Sequence, residues 1–384
     1  MSKIEELIEK LCPNGVKFEK IENLTNFEQP TKYIVKSTKY NEEYAIPVLT
    51  AGQSFILGYT NEQNGIYNAS KEKPVIIFDD FTGAFKWVDF PFKVKSSAIK
   101  IITAKNNKTT IRYLYHMMGF LKFCSNEHKR LWISAYSQFK VAVPPLEIQC
   151  EIVHILDDFT ELSAELSAEL KARKKQYEYY NKLLLSFDNG IPVVKLRDII
   201  DFKNGKGHEN VVEKNGKYIL VTSKAISTDM RNVRKTDRNL VPLYYEDIVM
   251  VMSDLPNGKA LAKCFLVDED EKYTLNQRIG CFTNKREDII NTKFLYYILN
   301  RNSQLLKYDN GVEQTNLRKD DILNIDIPIP KKEQQIEIIK VLDKFDKLCN
   351  DISEGLPAEI EARQKQYEYY RDKLLTFKEL KVNE

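Results

Sequence analysis

A ten-residue segment occurs twice in this chain of 384 residues, at 171–180 and again at 361–370. The first copy reads Lys-Ala-Arg-Lys-Lys-Gln-Tyr-Glu-Tyr-Tyr and the second reads Glu-Ala-Arg-Gln-Lys-Gln-Tyr-Glu-Tyr-Tyr. Upstream residues match in the same order, among them Gln149 with Gln335 and Asp157 with Asp343. A repeat with so long a period defines the architecture of a chain, so we expect two modules related by a pseudo-two-fold axis.

The repeated segments are helical in pattern and alternate with two segments that mix strand and helix patterns. Candidate strands are 46–49, 75–78, 92–95 and 99–103 in the first mixed segment, and 218–222, 248–252, 262–267 and 280–283 in the second. A helix follows in each, at 110–124 and 292–306. The chain is also longer than one hydrophobic core usually supports.

We therefore predict an α+β fold in four parts. An N-terminal helix and a first mixed α/β domain occupy 1–145, and a first long helical region occupies 146–188. A second mixed α/β domain occupies 189–331, and a second long helical region occupies 332–384.

Each helical region carries an apolar stripe with coiled-coil spacing. The first stripe is Ile148, Ile152, Ile155, Phe159, Leu162, Leu166, Leu170, Tyr177, Tyr180, Leu184 and Phe187, and the second includes Ile338, Leu342, Phe345, Cys349, Ile352, Leu356, Ile360, Tyr367, Tyr370, Leu374 and Phe377. A helix of about 40 residues is about 60 Å long, and its stripe needs a partner helix. We expect the two regions to pair antiparallel as an intramolecular coiled coil. The alternative is that each pairs with another molecule.

Two irregularities interrupt the stripes. The sequence Ser-Ala-Glu-Leu occurs in tandem at 163–166 and 167–170, so the stripe advances by four and four residues, which locally unwinds a supercoil. In the second region Gly355 suits the position after a helix end, and Pro357 suits the first position of a new helix. We expect a kink or break there.

Composition indicates a protein with packed cores and a well-solvated surface. Hydrophobic residues make up 43% and charged residues 29%, and the net charge is +3. No apolar run is long enough to span a membrane and the N-terminus is amphipathic rather than secretory, so the cytoplasm is expected. The six cysteines (Cys12, Cys124, Cys150, Cys264, Cys281 and Cys349) form no CxxC pair and are expected to be reduced.

Local basic clusters are more informative than the net charge. One consists of Arg231, Arg234, Lys235 and Arg238, and a looser set in the first half includes Lys71, Lys73, Lys105, Lys108, Lys129 and Arg130. Such clusters suit a polyanionic partner. On composition alone, ordinary solvated charge is the simpler interpretation.

Catalytic motifs are absent from the sequence. It contains no phosphate-binding loop, no HExxH, no nucleophile elbow and no Asn/Asp-Pro-Pro-aromatic loop of the adenine methyltransferases. Asp79 and Asp80 could hold a metal, but a turn with an Asx cap is the simpler interpretation. This pattern favours a binding protein over an enzyme.

The junctions between domains and helices carry a family resemblance. Pro144-Pro145-Leu146-Glu147-Ile148-Gln149 with Leu156-Asp157, and Pro330 to Gln335 with Leu342-Asp343, resemble the junction motif of the specificity (S) subunits of type I restriction-modification systems. The Ser-Ala-Glu-Leu tandem resembles a short repeat in the first helical region of some of these subunits. The resemblance spans the whole chain; Gly355 and Pro357 depart from a continuous second helix.

The resemblance implies a non-catalytic subunit that recognises double-stranded DNA through two target-recognition domains. Each domain would read half of a bipartite target, while the helices set the spacing and dock two modification (M) subunits. S-adenosylmethionine would bind to the M subunits, and ATP and Mg to restriction (R) subunits; this chain would bind no cofactor or metal. A structural coiled-coil adaptor with protein-binding globular ends is the alternative, and a self-sufficient enzyme comes third.

We predict that Lys86, Gln314, Asn316 and Arg318 contact bases and that Arg231, Arg234, Lys235 and Arg238 contact phosphates. Tyr177, Tyr180, Tyr367 and Tyr370 either pack within the coil or dock the M subunits. A purely structural role is the competing interpretation for each of these residues.

The N-terminal helix resembles a shortened copy of the first helical region's end. Its stripe of Ile4, Leu7 and Leu11 precedes Asn14-Gly15, as Leu184 and Phe187 precede Asn189-Gly190. We therefore expect the N-terminal helix to lie beside the end of the second helical region.

Overall fold

The computed structural model of the protein describes residues 3–52, 54–123, 130–188, 190–208, 215–256, 258–351 and 353–380. Cys124, Lys129, Asn189 and Ile352, which enter the sequence expectations, lie outside the described residues. The chain divides into two units: Met1–Glu165 with Ile360–Glu384, and Leu166–Glu359. Each unit therefore combines one mixed α/β domain with helical segments from both long helical regions.

The first unit contains a domain that begins with a short helix and ends at the first long helix. Its elements are α1 (Lys3–Leu11), β1 (Lys17–Lys20), α2 (Ile21–Leu24), β2 (Thr25–Glu28), β3 (Ile46–Leu49), β4 (Ile56–Thr60), β5 (Val75–Asp79), β6 (Phe85–Val88), β7 (Lys93–Val94), β8 (Ile99–Ala104), α3 (Ile111–Phe120), α4 (Leu131–Ser134) and β9 (Lys140–Val143). Helix α5 (Leu146–Leu184) follows and continues into the second unit.

The second unit repeats this order. After α5 come β10 (Val193–Lys195), α6 (Leu196–Ile199), β11 (Ile200–Asn204), β12 (Tyr218–Val221), α7 (Ser223–Ser227), β13 (Arg234–Thr236), β14 (Ile248–Val251), β15 (Ser253–Asp254), β16 (Cys264–Leu266), β17 (Tyr273–Leu275), β18 (Ile279–Asn284), α8 (Thr292–Leu299), α9 (Ser303–Leu306), β19 (Thr315–Asn316), α10 (Lys319–Leu323), β20 (Asp326–Pro328) and α11 (Lys332–Asn350). Helix α12 (Leu356–Leu374) returns to the first unit.

Sheet topology is the same in the two domains. The first has a four-stranded sheet ordered β2-β8-β5-β6 and a three-stranded sheet ordered β4-β3-β7; the second has β11-β18-β14-β16 and β13-β12-β17. Strands β1 and β9 pair antiparallel at the domain boundary, and so do β10 and β20. The repeat inferred from the helical segments therefore extends through both globular domains.

Strand prediction from apolar runs was accurate. Each of the eight predicted strands coincides with an observed one within a few residues at its ends. The predicted helix 110–124 is α3, which is shorter. The predicted helix 292–306 was wrong in its continuity because the chain turns at Asn300–Asn302, where Arg301 adopts a left-handed φ of 58°.

The break expected in the second helical region is confirmed, since α11 ends at Asn350 and α12 begins at Leu356. Its detail differs from the prediction. Gly355 directly precedes α12 and accepts hydrogen bonds from Ala358 and Glu359, so it starts the new helix instead of closing the old one. Pro357 is the second helical residue rather than the first. Glycine is required because a Cβ would lie 2.5 Å from the carbonyl oxygen of Lys347.

The N-terminal helix lies beside the end of the chain, as the sequence predicted. The Val16 amide donates to the Lys378 carbonyl at 2.9 Å, and the Leu380 amide donates to the Val16 carbonyl at 2.8 Å. Ile4 of α1 shares a buried cluster with Leu374 and Leu375. Residues near the two ends of the chain therefore pack against each other within the first unit.

Candidate nucleic-acid interface

Buried glutamines fix each long helical region to its domain. The Gln149 amide donates to the carbonyls of Lys108 and Pro144, each at 2.8 Å, and its oxygen accepts from the Thr110 amide at 3.1 Å. Gln335 donates to the carbonyls of Ile289 and Pro330 and accepts from the Asn291 amide. Both side chains are fully buried, so the two copies place the helix on the domain in the same way.

Two aspartates at equivalent positions of the repeat make a second polar contact with the domains. The Asp157 carboxylate contacts the Arg112 guanidinium and the His116 ring, both at 2.8 Å. The Asp343 carboxylate accepts hydrogen bonds from Lys293 at 2.8 Å and from the Tyr297 hydroxyl at 2.6 Å. Burial raises the pKa of the Asp157 carboxyl, but the His116 hydrogen bond and the Arg112 charge outweigh it and hold that pKa below its usual value. Domain and helix are thus linked by the same two positions in each unit.

The repeated tyrosines contact aromatic rings within their own units. Tyr177 and Tyr180 stack on Phe345 at 6.0 and 5.4 Å between ring centroids, and Tyr370 stacks on Phe159 at 5.3 Å. Tyr367 lies against His116, with its hydroxyl 3.4 Å from Nδ1. Phe159 and Phe345 are equivalent in the repeat, so the same aromatic contact joins helices from both regions in each unit.

The neighbouring tyrosines of the repeat are far more exposed. Tyr179 is 62% exposed and Tyr369 is 64% exposed. They contact Tyr180 and Tyr370 edge-to-face at 5.5 and 5.3 Å. These two rings, which are not among the predicted docking residues, present the most accessible aromatic surface of the repeated decapeptide.

Several predicted contact residues of the second domain meet at one end of its sheets. The Met252 amide, just past β14, donates to the Arg278 carbonyl at 3.0 Å, and the Met252 carbonyl accepts from the Leu317 amide at 2.8 Å. Gln314 donates to the Ser253 hydroxyl at 2.8 Å, and Asn316 pairs with Ser253 across the two-stranded β15–β19 sheet. We call this end, with residues 222–224, 276–278 and 314–318, the loop-end surface.

The basic cluster of the second domain is spread over more than one face. Arg231, Arg234, Lys235 and Arg238 are all exposed, and within the described part of the chain none forms an ion pair. Arg234 and Lys235 are successive residues of β13, so their side chains point to opposite faces of the strand. Of these four residues, only Arg234 lines the cleft that residues 222–224 and 276–278 form in the loop-end surface.

That cleft has a volume of about 320 Å³, and every residue that lines it is polar or charged. It is lined by Thr222, Ser223, Lys224, Asn232, Arg234, Asn276, Gln277 and Arg278. Lys224 and Arg278 are not among the residues predicted from sequence because they are isolated in the chain and approach Arg234 only in the folded domain. The one sequence signal is the run Asn-Gln-Arg between two apolar strands.

The corresponding end of the first domain contains the β5–β6 hairpin. Amides of Phe81 and Thr82 donate to the Asp79 carboxylate at 2.9 and 3.0 Å, so the Asx-capped turn is confirmed. The Asp80 carboxylate forms an ion pair with Lys100 at 3.1 Å. The described residues contain no cluster of metal-ligating side chains. Lys86 lies half-buried on edge strand β6, opposite Ile77.

Other expectations from sequence concern the cysteines and the membrane. The five cysteines in the described residues are free thiols, in agreement with the prediction. Across the described ranges, every helix is too short or too polar to cross a bilayer.

Comparison with known proteins agrees with this geometry. The family model for the type I restriction modification DNA specificity domain matches residues 13–173 and again 189–362. The EcoR124I/EcoR124II type I restriction enzyme specificity subunit of Escherichia coli is 42% identical, with 98% of this chain and 97% of that protein aligned.

Solved structures show the same fold. A type I restriction-modification S subunit from M. genitalium superposes with a TM-score of 0.61 at 13% identity, covering 94% of this chain and 96% of that one. A structure from work on complex assembly of the type I R-M system gives 0.53 at 14% identity, covering 95% and 98%. The chain belongs to the family of type I restriction-modification specificity subunits, whose role is recognition of DNA sequence and not catalysis.

Proposed function

We propose that each domain of this chain reads one half of a bipartite target in double-stranded DNA. The observation that supports this most strongly is the contrast between scaffold and surface. Buried contacts such as those of Gln149 and Gln335 are repeated, whereas the exposed loop ends of the two domains differ. Two readers on a common frame can recognise two different half-sites, with the base pairs between them unread.

The long helices set the distance between the readers in this proposal. Helices α11 and α5 run antiparallel past each other: Phe345 meets Tyr177 and Tyr180, and Cys349, further along α11, lies near Lys174, earlier in α5. With the Phe159–Tyr370 contact of the first unit, this supports one intramolecular antiparallel coiled coil. Equivalent DNA groove faces recur about every 34 Å, so a stiff spacer of fixed length selects the gap between half-sites.

The partners follow from the family. Two M subunits would bind the chain, and the repeat offers two equivalent docking surfaces around its tyrosines, Tyr177 and Tyr180 in one copy and Tyr367 and Tyr370 in the other. These M subunits would carry S-adenosylmethionine, and R subunits would use ATP and Mg to cleave DNA. The complex would act in the cytoplasm.

Lengthening α5 by one Ser-Ala-Glu-Leu unit should widen the unread gap. The insertion adds about 6 Å of helix, which compares with 3.4 Å per base pair, so a change of about one or two base pairs is expected. Sequencing of methylated bases in cells carrying each length variant measures the gap. A gap that stays constant across the variants rules out the helices as a ruler.

Arg234→Ala should weaken binding to every duplex by a similar factor. One lost phosphate contact reduces the dependence of log K on log salt by about one unit. Titration of the assembled complex on specific and mixed duplexes at several salt concentrations measures both quantities. A loss confined to one sequence would contradict the phosphate role of Arg234.

The same titration tests the proposed function as a whole. A DNA reader binds mixed duplex weakly and in a salt-dependent way, and binds its target far more tightly. A structural adaptor would show neither behaviour. Absence of salt-dependent DNA binding by the assembled complex would therefore overturn the proposal.

A further inference from the structure

The cleft in the loop-end surface combines two features that the proposed function does not by itself assign. Its three cations, Lys224, Arg234 and Arg278, are exposed and form no ion pair within the described ranges. The side-chain oxygen of Asn276 lies sheltered from solvent without a hydrogen-bond partner. The unpaired cations are suited to an anionic ligand, whereas the Asn276 oxygen, as an acceptor, can be satisfied only by a hydrogen-bond donor.

The turn that carries Asn276 and Arg278 is held in place from both sides. The backbone amide of Asn276 donates to the Val221 carbonyl at 3.2 Å, and the backbone carbonyl of Arg278 accepts from the Met252 amide at 3.0 Å. The Asn276 carbonyl also lies so close to Gly205 that no Cβ fits there. Side chains on a turn fixed in this way are presented with little conformational freedom.

Arg278 itself adopts a left-handed backbone conformation, with φ of 66°. This conformation is uncommon for a residue with a Cβ, and it persists where the surroundings enforce it. The guanidinium is left exposed at the mouth of the cleft. A strained backbone that presents a free, planar donor group is typical of a ligand-contacting position.

The same place in the first domain has different chemistry. There the Ala98 carbonyl accepts from the Asp80 amide at 2.8 Å, as the Arg278 carbonyl accepts from Met252. Ile99 pairs with Asp79 as Ile279 pairs with Val251, so Ala98 occupies the position of Arg278. The backbone hydrogen bonds are repeated at this position and the side chain is not.

We propose that this cleft is the specificity-determining site of the second domain, in which Arg278 reads a base edge. This assignment rests on the proposed function and names the residue that discriminates between base pairs. The guanidinium fork matches the O6 and N7 acceptors of guanine in the major groove. Arg234 and Lys224 hold the flanking phosphates and fix the register.

The test is methylation of a duplex library by this chain assembled with its M subunits. The library is randomised one base pair at a time across the target, and the products are sequenced. Arg278→Ala should reduce discrimination by about 5- to 150-fold at one base pair of one half-site and leave the other half unchanged. Arg278→Lys keeps the charge but loses the planar fork, so it should bind mixed duplex with near wild-type affinity and show reduced discrimination at the same base pair.

The matched control is Arg231→Ala, which removes an exposed cation outside the cleft. It should lower methylation of all sequences alike, without a change in base preference. If Arg278→Ala and Arg278→Lys fold and retain the wild-type base preference, the assignment of Arg278 is overturned. The proposed function still holds in that case, provided that the wild-type complex has a bipartite target. A wild-type complex with no base preference would overturn the proposed function itself.

Discussion

Replacing Leu342 by alanine should lower the free energy of unfolding of the second unit by about 3 kcal/mol. Leu342 is fully buried where α11 packs on its domain, in a cluster with Phe294, Leu295 and Ile338. Loss of three carbons there removes apolar burial and leaves a cavity that the surrounding helix and sheet close only in part. Amide hydrogen exchange measures the loss, and residues of the second unit should lose the most protection.

Two matched variants separate this effect from a general one. Leu156 occupies the equivalent position of the first unit and is equally buried, so Leu156→Ala should cause a similar loss in that unit. Ile336→Ala changes a side chain that is 46% exposed six residues earlier in α11 and should cost far less. A loss below about 1 kcal/mol for both leucines would show that the helices do not pack on the domains as described.

Gln335→Ala should destabilise the second unit by about 2–4 kcal/mol, an effect that comes from unsatisfied polar groups instead of lost apolar contact. The side chain satisfies the carbonyls of Ile289 and Pro330 and the amide of Asn291. The hydrogen bond to Pro330 is buried and the other two are partly buried, and alanine leaves all three backbone groups without this partner. Denaturant unfolding of the variant and the wild type measures the difference.

Gln335→Glu is the informative companion because it preserves shape. A carboxylate there would lose both N–H donors and face two carbonyl oxygens, so the neutral form would be favoured and the folded-state pKa raised. Its stability should therefore be highest at acid pH and fall as the pH rises. A Gln335→Ala variant as stable as the wild type, or a Gln335→Glu variant without pH dependence, would exclude the buried hydrogen bonds as a determinant of the junction.

Sequence patterns predicted the features of this fold that depend on local periodicity. The three-and-four spacing from Ile148 onwards predicted α5, and apolar runs such as 248–252 predicted buried strands. The repeat predicted that Gln149 and Gln335 would be equivalent, and their hydrogen bonds confirm it. Each of these signals lies within one short segment or in a comparison of two.

The features that sequence reasoning missed depend on contacts between distant segments. Arg278 meets Lys224 and Arg234 only because β12, β13 and β18 come together, and nothing in its neighbours marks it as exposed and strained. Short pairs such as β15 with β19 carry no periodicity. The role of Gly355 was also misassigned, since its crowding by carbonyls of the preceding helix is a tertiary constraint.

The structure places the predicted DNA-contact residues in different parts of the domains. Gln314, Asn316 and Arg318 all belong to the loop-end surface; Gln314 and Asn316 both contact Ser253, and Arg318 is exposed directly before α10. Lys235 lies on the face of β13 opposite Arg234, so the two cannot both reach the cleft. Base contact by Lys86 and phosphate contact by Arg238 stay predictions.

The most direct measurement is sequencing of methylated bases in cells that express this chain with its M subunits, with residues 189–331 either native or replaced by the corresponding segment of another family member. Two independent readers on one frame predict a bipartite motif with an unread gap, of which the exchange alters one half and leaves the other half and the gap length unchanged. A continuous motif, or an exchange that alters both halves, would contradict that account.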